Sequence, residues 1–343
     1  MRKTAVLLFL TLALIVNAQT PAIPPSKKAV MDAFLAGRLT KEYVPAAFFV
    51  HFDSNHKTGE AAVNAHLQFL QQTDADVLKV QFEQGQRRIN GLDKQATWDS
   101  IQPIAEDYYR PTLEIVRQLH ERVGHDIYVM PTVYSAYQVA RQSLRDENIA
   151  RAAVERRADL KRVMGYYQKA LLWFVRECKK AGIEAFYMPT QGGEMKYNAI
   201  DGFFDDIIKP FDLELMQLCR QDARLTILHI CDWEGTYDDL SKYREYPGDI
   251  VNTPMHLNGT PFTLTDAEKL FGRPVMGGLK KEGIIVKGTA EEVASTTAST
   301  LRQAPRGRVM LGADCTVSAA PIANICAAVS TAHQSANSKN IKL

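Results

Sequence analysis

Short runs of apolar, β-prone residues recur along the chain, and segments with helical spacing separate them. Continuous apolar runs of four to eight residues are typical of buried strands, whereas apolar spacings of three and four are typical of helices. Eight runs predict strands at 44–50, 76–82, 126–133, 183–188, 225–230, 249–253, 273–278 and 308–313. Good helix formers predict helices at 60–73, 110–123, 151–180, 203–221 and 289–304. This alternation predicts an α/β fold, a single (β/α)8 TIM barrel.

The alternative arrangement of the same elements is a doubly wound open sheet. Such sheets commonly carry a glycine-rich phosphate loop after the first strand, and the sequence has none there. The chain also contains no long linker and no internal repeat. We therefore predict one barrel domain over 27–343.

The N-terminus has the layout of a secretory signal. Arg2 and Lys3 precede an apolar run over 5–16, and a small residue follows at Ala18. The run is shorter than the about 20 residues of a membrane-spanning helix. We predict a cleaved signal peptide at 1–18, a proline-rich lead-in at 19–26, and an exported protein, periplasmic or secreted, with no membrane span after cleavage.

Composition narrows the class of protein. The 343 residues are 46% hydrophobic and 23% charged, with a formal net charge of +2. This composition is ordinary for a globular domain, and the absence of a basic stripe argues against a nucleic-acid partner. Five cysteines are too few for a disulfide scaffold of this size. Cys178, Cys219 and Cys326 lie in helical patterns and are predicted to be small packing residues.

The strongest chemical signal is the end of the fifth predicted strand, "LTILHICDWEG". Residues two apart on a strand point to the same side, so His229 and Cys231 should present an imidazole and a thiol together. Cys315 follows the eighth predicted strand, and barrel strands end at a common mouth. Three such ligands with one open position are typical of catalytic zinc. A disulfide between Cys231 and Cys315 is the alternative in an oxidising compartment.

Other polar side chains also follow predicted strands. Glu83 is a candidate fourth zinc ligand or general acid or base, and Tyr137 is a candidate catalytic hydrogen-bond donor. Candidate substrate-binding residues at the mouth are His51, Tyr134, Tyr187 and Asn252. Lys79 lies inside a strand, where a buried cation needs a partner, so we predict a structural pair for it.

Two C-terminal stretches, "FGRPVMGGLKKEGIIVKGTAEEV" (271–293) and "RVMLGADCTVSAAPIANICAAV" (308–329), resemble the uroporphyrinogen decarboxylase superfamily. Weaker similarity lies at 131–142, 181–194 and 203–216. The resemblance implies a (β/α)8 barrel and a divergent, exported member of that superfamily.

The two branches of this superfamily differ in their site residues. Of the decarboxylase active-site positions, only Tyr137 matches. The N-terminal arginines of decarboxylases are absent from "YVPAAFFVHFDSNHKTG", and "LGADCT" replaces their Gly-His-Gly. Zinc-dependent methyltransferases that serve corrinoid proteins carry HxC after strand five and a cysteine after strand eight. His229, Cys231 and Cys315 match those positions.

The resemblance therefore implies zinc-dependent methyl (alkyl) transfer to a thiol, with zinc as the cofactor. One alternative is a uroporphyrinogen (tetrapyrrole) decarboxylase of porphyrin biosynthesis. Another is a non-catalytic exported protein that binds a tetrapyrrole or corrinoid. The expected partner is accordingly a small-molecule thiol or a tetrapyrrole or corrinoid.

Overall fold

The computed structural model of the protein describes residues 26–39, 43–317 and 319–334. The predicted signal peptide and all but the last residue of the lead-in lie outside these ranges, so export stays a prediction. Within the described ranges, no helix has both the length and the hydrophobicity needed to cross a membrane.

Strands and helices alternate along the described chain. The strands are β1 (Val77–Val80), β2 (Tyr128–Pro131), β3 (Ala185–Thr190), β4 (Leu225–Ile230), β5 (Ile250–Asn252), β6 (His256–Leu257), β7 (Thr260–Pro261), β8 (Val275–Leu279) and β9 (Val309–Ala313). The helices are α1 (Lys27–Leu35), α2 (Gly59–Thr73), α3 (Gln95–Ser100), α4 (Arg110–Val123), α5 (Ala136–Leu144), α6 (Asp146–Glu155), α7 (Arg157–Lys180), α8 (Lys209–Arg220), α9 (Leu264–Phe271), α10 (Ile284–Lys287), α11 (Ala290–Gln303) and α12 (Ile322–Gln334).

The larger sheet has five parallel strands in the order β3-β4-β5-β8-β9, and β1 and β2 form a separate parallel pair. A single bridge between Thr132 and Tyr187 links the two sheets. The backbone N–H groups of Thr132 and Val133 donate to Val80 and Tyr187 across this junction. The fold is thus α/β with parallel strands, as predicted, but these seven strands form two sheets rather than one closed sheet. Strands β6 and β7 form a separate antiparallel hairpin.

The first predicted strand, 44–50, is where the structure departs from the expected ladder. It makes one bridge, between Ala46 and Leu311 of β9, and the Ala46 carbonyl accepts from the Asp76 N–H just before β1. Pro45 has no N–H to donate. The Ala46 N–H donates instead to the Asp76 carboxylate, at 2.7 Å. Neither Pro45 nor Ala46 therefore donates a backbone hydrogen bond to a neighbouring strand. The segment lies between β1 and β9 without forming a regular strand.

Alternate residues of the strands share one buried cluster, as the two-residue period of a strand requires. Its members from the strands and from 44–50 are Ala47, Phe49, Val77, Tyr128, Met130, Ala185, Tyr187, Leu225, Ile227, Ile250, Met276 and Met310. Met31 and Phe34 of α1 pack into the same cluster. The faces of the strands toward this cluster are therefore filled by side chains, and α1 covers one end of it.

The predicted helices agree with the structure except in two places. The segment 151–180 is interrupted at Arg156 (φ −143°), which separates α6 from α7. The segment 203–221 opens with a π-helical turn, Phe203–Ile208, before α8. Pro210 near the start of α8 cannot donate a backbone hydrogen bond, so a regular α-helical ladder cannot extend through it.

Candidate metal centre and its cavity

The candidate zinc ligands converge where β4 and β9 end. Leu225 and Ile227 of β4 belong to the interior cluster, so His229 and Cys231 continue the same face beyond it. Cys315 lies in the bend that follows β9. One ligand atom from each residue lies within 4.8 Å of the other two, and all three residues are buried. The structure therefore places these three ligands together.

The spacing of the donor atoms suits a zinc ion. The Cys231 and Cys315 sulfurs are 3.8 Å apart, and both cysteines are free. Two thiolates that bind one zinc tetrahedrally, at about 2.3 Å each, lie about 3.8 Å apart. The Nδ1 atom of His229 is buried and has no hydrogen-bond partner among the described residues. A buried imidazole nitrogen without a partner is uncommon, and a metal would satisfy it.

The two thiols differ in acidity. The pKa of Cys315 lies well below its usual range, because Cys231 donates a hydrogen bond to its sulfur and because His229 and Lys281 lie nearby. That same hydrogen bond, together with burial, raises the pKa of Cys231. The pair therefore offers one thiolate readily, and a dication is needed to ionise both.

Residues next to both cysteines are tied to a third loop. Asp232 follows Cys231, and its Oδ1 accepts from Lys281 Nζ at 2.6 Å. Asp314 precedes Cys315, and its Oδ1 accepts from the Lys281 backbone N–H at 2.7 Å. Burial alone would lower the pKa of the Lys281 ammonium, but its hydrogen bond to Asp232 raises it. Asp314 and Asp232 thus anchor the segments that carry the two cysteines to the loop of Lys281.

The imidazole of His229 is held by stacking. Its ring lies 5.4 Å from that of Tyr187, at an interplanar angle of 26°. The Tyr187 hydroxyl donates to Asn252 Oδ1 at 3.3 Å. Asn252 Nδ2 donates in turn to the carbonyls of Met276 and Ala313. Asn252 thus joins β5, β8 and β9 and is not among the residues that face the cavity; its predicted substrate contact is not what the structure shows.

A cavity of about 250 Å³ lies above the three ligands. His51, Tyr134 and Tyr187, all predicted to bind substrate, line it together with the ligands. Trp233 forms part of the wall and is 49% exposed. The structure therefore brings together three of the four predicted substrate-binding residues.

Glu83 lies just behind this cavity rather than in its wall. Its Oε1 accepts from His51 Nδ1 at 2.7 Å, and its Oε2 lies 3.0 Å from Lys57 Nζ. Burial would raise the pKa of Glu83, but these hydrogen bonds and charges hold it below its ordinary value. Glu83 is therefore an ionised partner of His51, and its oxygens are occupied by that role rather than offered to a metal.

Tyr137 is not at the cavity. Its side chain is fully buried in α5, and its hydroxyl donates to the Tyr197 hydroxyl at 2.7 Å. The first turn of α5 begins at the Ser135 cap, which turns Tyr134 toward the cavity and Tyr137 toward the packed core. A catalytic role for Tyr137 is not supported by this placement.

Two cations in the cavity wall were not predicted as site residues. Lys79 is 7% exposed and follows Val77 on the interior face of β1. Its ammonium lies 4.8 Å from the Phe49 ring centre and 4.9 Å from that of Tyr187, and it donates to Gln81. Burial lowers its pKa to about 8, although the nearby Cys315 opposes this. Residues two apart on a strand face the same side. An interior position for Val77 therefore indicates an interior position for Lys79 as well, and this was the sequence signal for Lys79.

Arg141 of α5 is the second cation. Its Nη2 pairs with Glu234 at 3.0 Å, whereas its Nη1 is buried without a hydrogen-bond partner among the described residues. Arg141 lines the same cavity as Lys79. Tyr134 and Gln138 also line the cavity, and Arg141 follows them at helical spacing, seven and three residues later. This spacing was the sequence signal for Arg141.

Comparisons with known proteins bear on the fold. No family profile and no curated protein sequence matches the chain. A methyltransferase from Methanosarcina mazei is similar in structure, with a TM-score of 0.68 and 13% identity over 90% of this chain and 98% of that chain. A B12-independent methionine synthase from Shewanella sp. W3-18-1, in complex with selenomethionine, gives a TM-score of 0.55 and 14% identity over 88% of this chain and 100% of that chain. The chain shares their fold.

Proposed function

We propose that this protein is a zinc-dependent enzyme that transfers a methyl group to a small thiol. We also propose that its strands and the 44–50 segment close into a (β/α)8 barrel of the uroporphyrinogen decarboxylase superfamily. The observation that carries the functional proposal is the set of His229, Cys231 and Cys315, whose ligand atoms lie within 4.8 Å of one another. The two structural neighbours are a methyltransferase and a B12-independent methionine synthase, which supports a methyl-transfer reaction.

The donor set favours thiol chemistry over water activation. A zinc ion held by these residues would lower the pKa of a bound substrate thiol and supply a nucleophilic thiolate at neutral pH. The chain contributes two sulfur ligands, whose negative charges offset the dication. All three side chains are buried, so little of their surface is exposed to bulk water.

His51 is suited to accept the proton of the substrate thiol. It lines the cavity, and Glu83 holds its Nδ1 at 2.7 Å. A histidine whose second nitrogen is fixed by a carboxylate is a common general base. Glu83 then acts through His51 and orients its ring, which replaces its predicted role as a direct acid, base or ligand.

Lys79 and Arg141 favour a substrate with an anionic group. Both face the cavity, and each has unused capacity to donate hydrogen bonds to a ligand. The cavity of about 250 Å³ is slightly smaller than the usual range for ligand pockets, about 300–1,000 Å³. This size favours a small thiol over a tetrapyrrole, the substrate of the alternative decarboxylase and the ligand of the alternative binding protein.

Metal analysis and thiol counting of protein purified without reductant test the donor set. We expect one zinc per chain in the wild type, and its loss in Cys231→Ser and Cys315→Ser, because a serine hydroxyl stays protonated and binds zinc poorly. Cys326→Ser is the matched control, since Cys326 is half-buried on α12 and outside the site. It is a better control than the fully buried Cys219. A Cys231–Cys315 disulfide with no zinc would contradict the proposal.

Turnover separates the enzyme from its alternatives. We expect methylation of small anionic thiols by a methyl donor, followed by mass spectrometry of the thioether product, and no decarboxylation of uroporphyrinogen. Tight binding of a tetrapyrrole without methyl transfer to any thiol would favour the non-catalytic binding protein. Decarboxylation at enzymatic rates would favour the other alternative.

A further inference from the structure

We infer that Lys281 is a positioning residue that sets the distance between the two sulfur ligands, an inference that rests on the proposed metal site. Among the described residues, the hydrogen bonds of Lys281 go to neither cysteine. Lys281 contacts Asp232, which follows Cys231, and Asp314, which precedes Cys315. Asp232 and Asp314 lie at the ends of different strands.

The contacts of Lys281 form a bridge of three loops. Its side chain reaches Asp232 in the loop after β4, at 2.6 Å from Nζ to Oδ1. Its backbone N–H reaches Asp314 in the bend after β9, at 2.7 Å. The Asp314 N–H donates back to the Leu279 carbonyl at the end of β8, at 3.0 Å. One residue after β8 thus fixes both chain segments that carry the sulfurs.

Burial makes this bridge stiffer than a surface ion pair. The side chains of Lys281 and Asp232 are 13% and 22% exposed, and Asp314 is 2% exposed. Exposed ion pairs contribute little, whereas breaking a buried pair leaves a charge without a partner. The Lys281 ammonium also lies 5.7 Å from the ring centre of Trp233, so it holds that part of the cavity wall as well.

The separation of the two sulfurs should affect zinc binding. In the structure the sulfurs are 3.8 Å apart, the separation that a tetrahedral zinc requires, about 3.8 Å. If Lys281 maintains that separation, its loss should weaken any ligand that both sulfurs must bind at once. Partners of metal ligands typically contribute about 10–100-fold to metal affinity.

The first arm of the test measures metal. We expect Lys281→Met to lower zinc affinity about 10–100-fold, and Lys281→Arg to restore most of it because arginine can still reach Asp232. Cobalt bound in place of zinc should show an altered thiolate-to-metal absorption band in Lys281→Met. Lys280→Met is the matched control, since Lys280 is the adjacent lysine and is exposed. It should leave affinity and spectrum unchanged.

The second arm needs no metal. Phenylarsine oxide condenses with two thiols, forming two arsenic–sulfur bonds and releasing one water, so it reports whether Cys231 and Cys315 are correctly spaced in the reduced, zinc-free protein. We expect the wild type and Lys280→Met to bind one arsenical across this pair, and Lys281→Met to bind it about tenfold more weakly. Circular dichroism checks folding, and Asp232→Ala, which removes the acceptor of the Lys281 ammonium, should reproduce the effect if Lys281→Met does not fold.

The two arms keep this inference apart from the proposed function. A wild-type protein that binds no zinc contradicts the metal site, yet the arsenical still decides the role of Lys281. Arsenical binding by folded Lys281→Met as tight as in the wild type overturns the inference, whatever the zinc affinity. An equal loss in Lys280→Met also overturns it, because a general charge effect would then explain both.

Discussion

Lys79 is the residue at which local rules and the structure conflict most. A lysine inside a buried strand has a desolvation cost, and its only hydrogen-bond acceptor among the described residues is Gln81. Two aromatic rings, of Phe49 and Tyr187, offer part of the compensation. The predicted structural partner is thus a neutral amide, and Glu83, the nearby carboxylate, pairs with His51 and Lys57 instead. A buried cation retained beside a cavity is typical of a binding site.

Lys79→Met should therefore stabilise the fold and impair function. The folded pKa is lowered from the ordinary 10.5 to about 8, so the unfolded chain binds more protons between these values. The unfolding free energy of the wild type should accordingly rise as pH increases from about 8 to 10.5, and be lowest below pH 8. The methionine variant should lose this dependence, melt a few degrees higher at pH 7, and show a raised KM for an anionic thiol.

Thermal unfolding across pH checks this expectation. Lys161→Met is the control, because Lys161 is exposed on α7 and should alter neither the pH profile nor KM. A wild-type profile that is flat from pH 8 to 10.5, or a KM that does not change in Lys79→Met, contradicts the role given to Lys79.

Among the elements, the hairpin β6–β7 could have been predicted from its turn sequence, Asn-Gly, but was not. Asn258 and Gly259 lie between its strands with φ values of 47° and 80°. Asn-Gly is the preferred pair for a two-residue hairpin turn, in which both residues need positive φ. The segment 44–50 is the opposite case, because its apolar pattern predicts a strand while Pro45 and the Asp76 side chain remove the ladder.

Gly312 of β9 tests whether 44–50 packs beside β9 as the barrel requires. A methyl group at this position would lie 3.0 Å from the Ala47 carbonyl oxygen and 2.5 Å from the end of Met276. Gly312→Ala should therefore destabilise the protein by about 1–3 kcal/mol, the usual cost of overpacking. Urea unfolding measures this change.

Gly165 supplies the control for that substitution. It lies within α7, and a methyl group there meets nothing within 4 Å. Gly165→Ala should stabilise the protein by about 0.5–1 kcal/mol, because alanine favours a helix. A Gly312→Ala variant as stable as the wild type would contradict the packing of 44–50 against β9.

At the scale of the whole molecule, stability should depend little on the metal. The interior cluster and the layer between strands and helices are large, and the metal ligands lie at one end of them. A domain of this size folds on its own core, unlike a small zinc domain. Chelation should therefore lower Tm modestly and leave the far-ultraviolet circular dichroism unchanged. Loss of the folded spectrum in the chelated protein would show that the ligands have a structural role.

Export is the other whole-molecule expectation. The charged start, apolar run and Ala18 predict cleavage that removes 1–18. N-terminal sequencing of the protein from its native host should begin after Ala18. A sequence that begins at Met1 would contradict export by this signal.

The sequence determined those features that depend on local spacing. The two-residue period of a strand was enough to put His229 and Cys231 on one side, and α4 has the predicted bounds, 110–123. The approach of Cys315 was expected only through the barrel and the family resemblance. Cys231 and Cys315 are 84 positions apart in the chain, so their contact depends on how the strands pack.

Only the tertiary structure decided which polar residues face the cavity. Tyr137 and Asn252 lie near strand ends, yet their polar groups bond to Tyr197 and to strand carbonyls. Lys79 and Arg141 face the cavity because their elements turn those sides inward. The physical reason is that a buried polar side chain forms hydrogen bonds with whichever groups lie within reach after packing. Those groups are often distant in the chain, so the local sequence pattern does not reveal them.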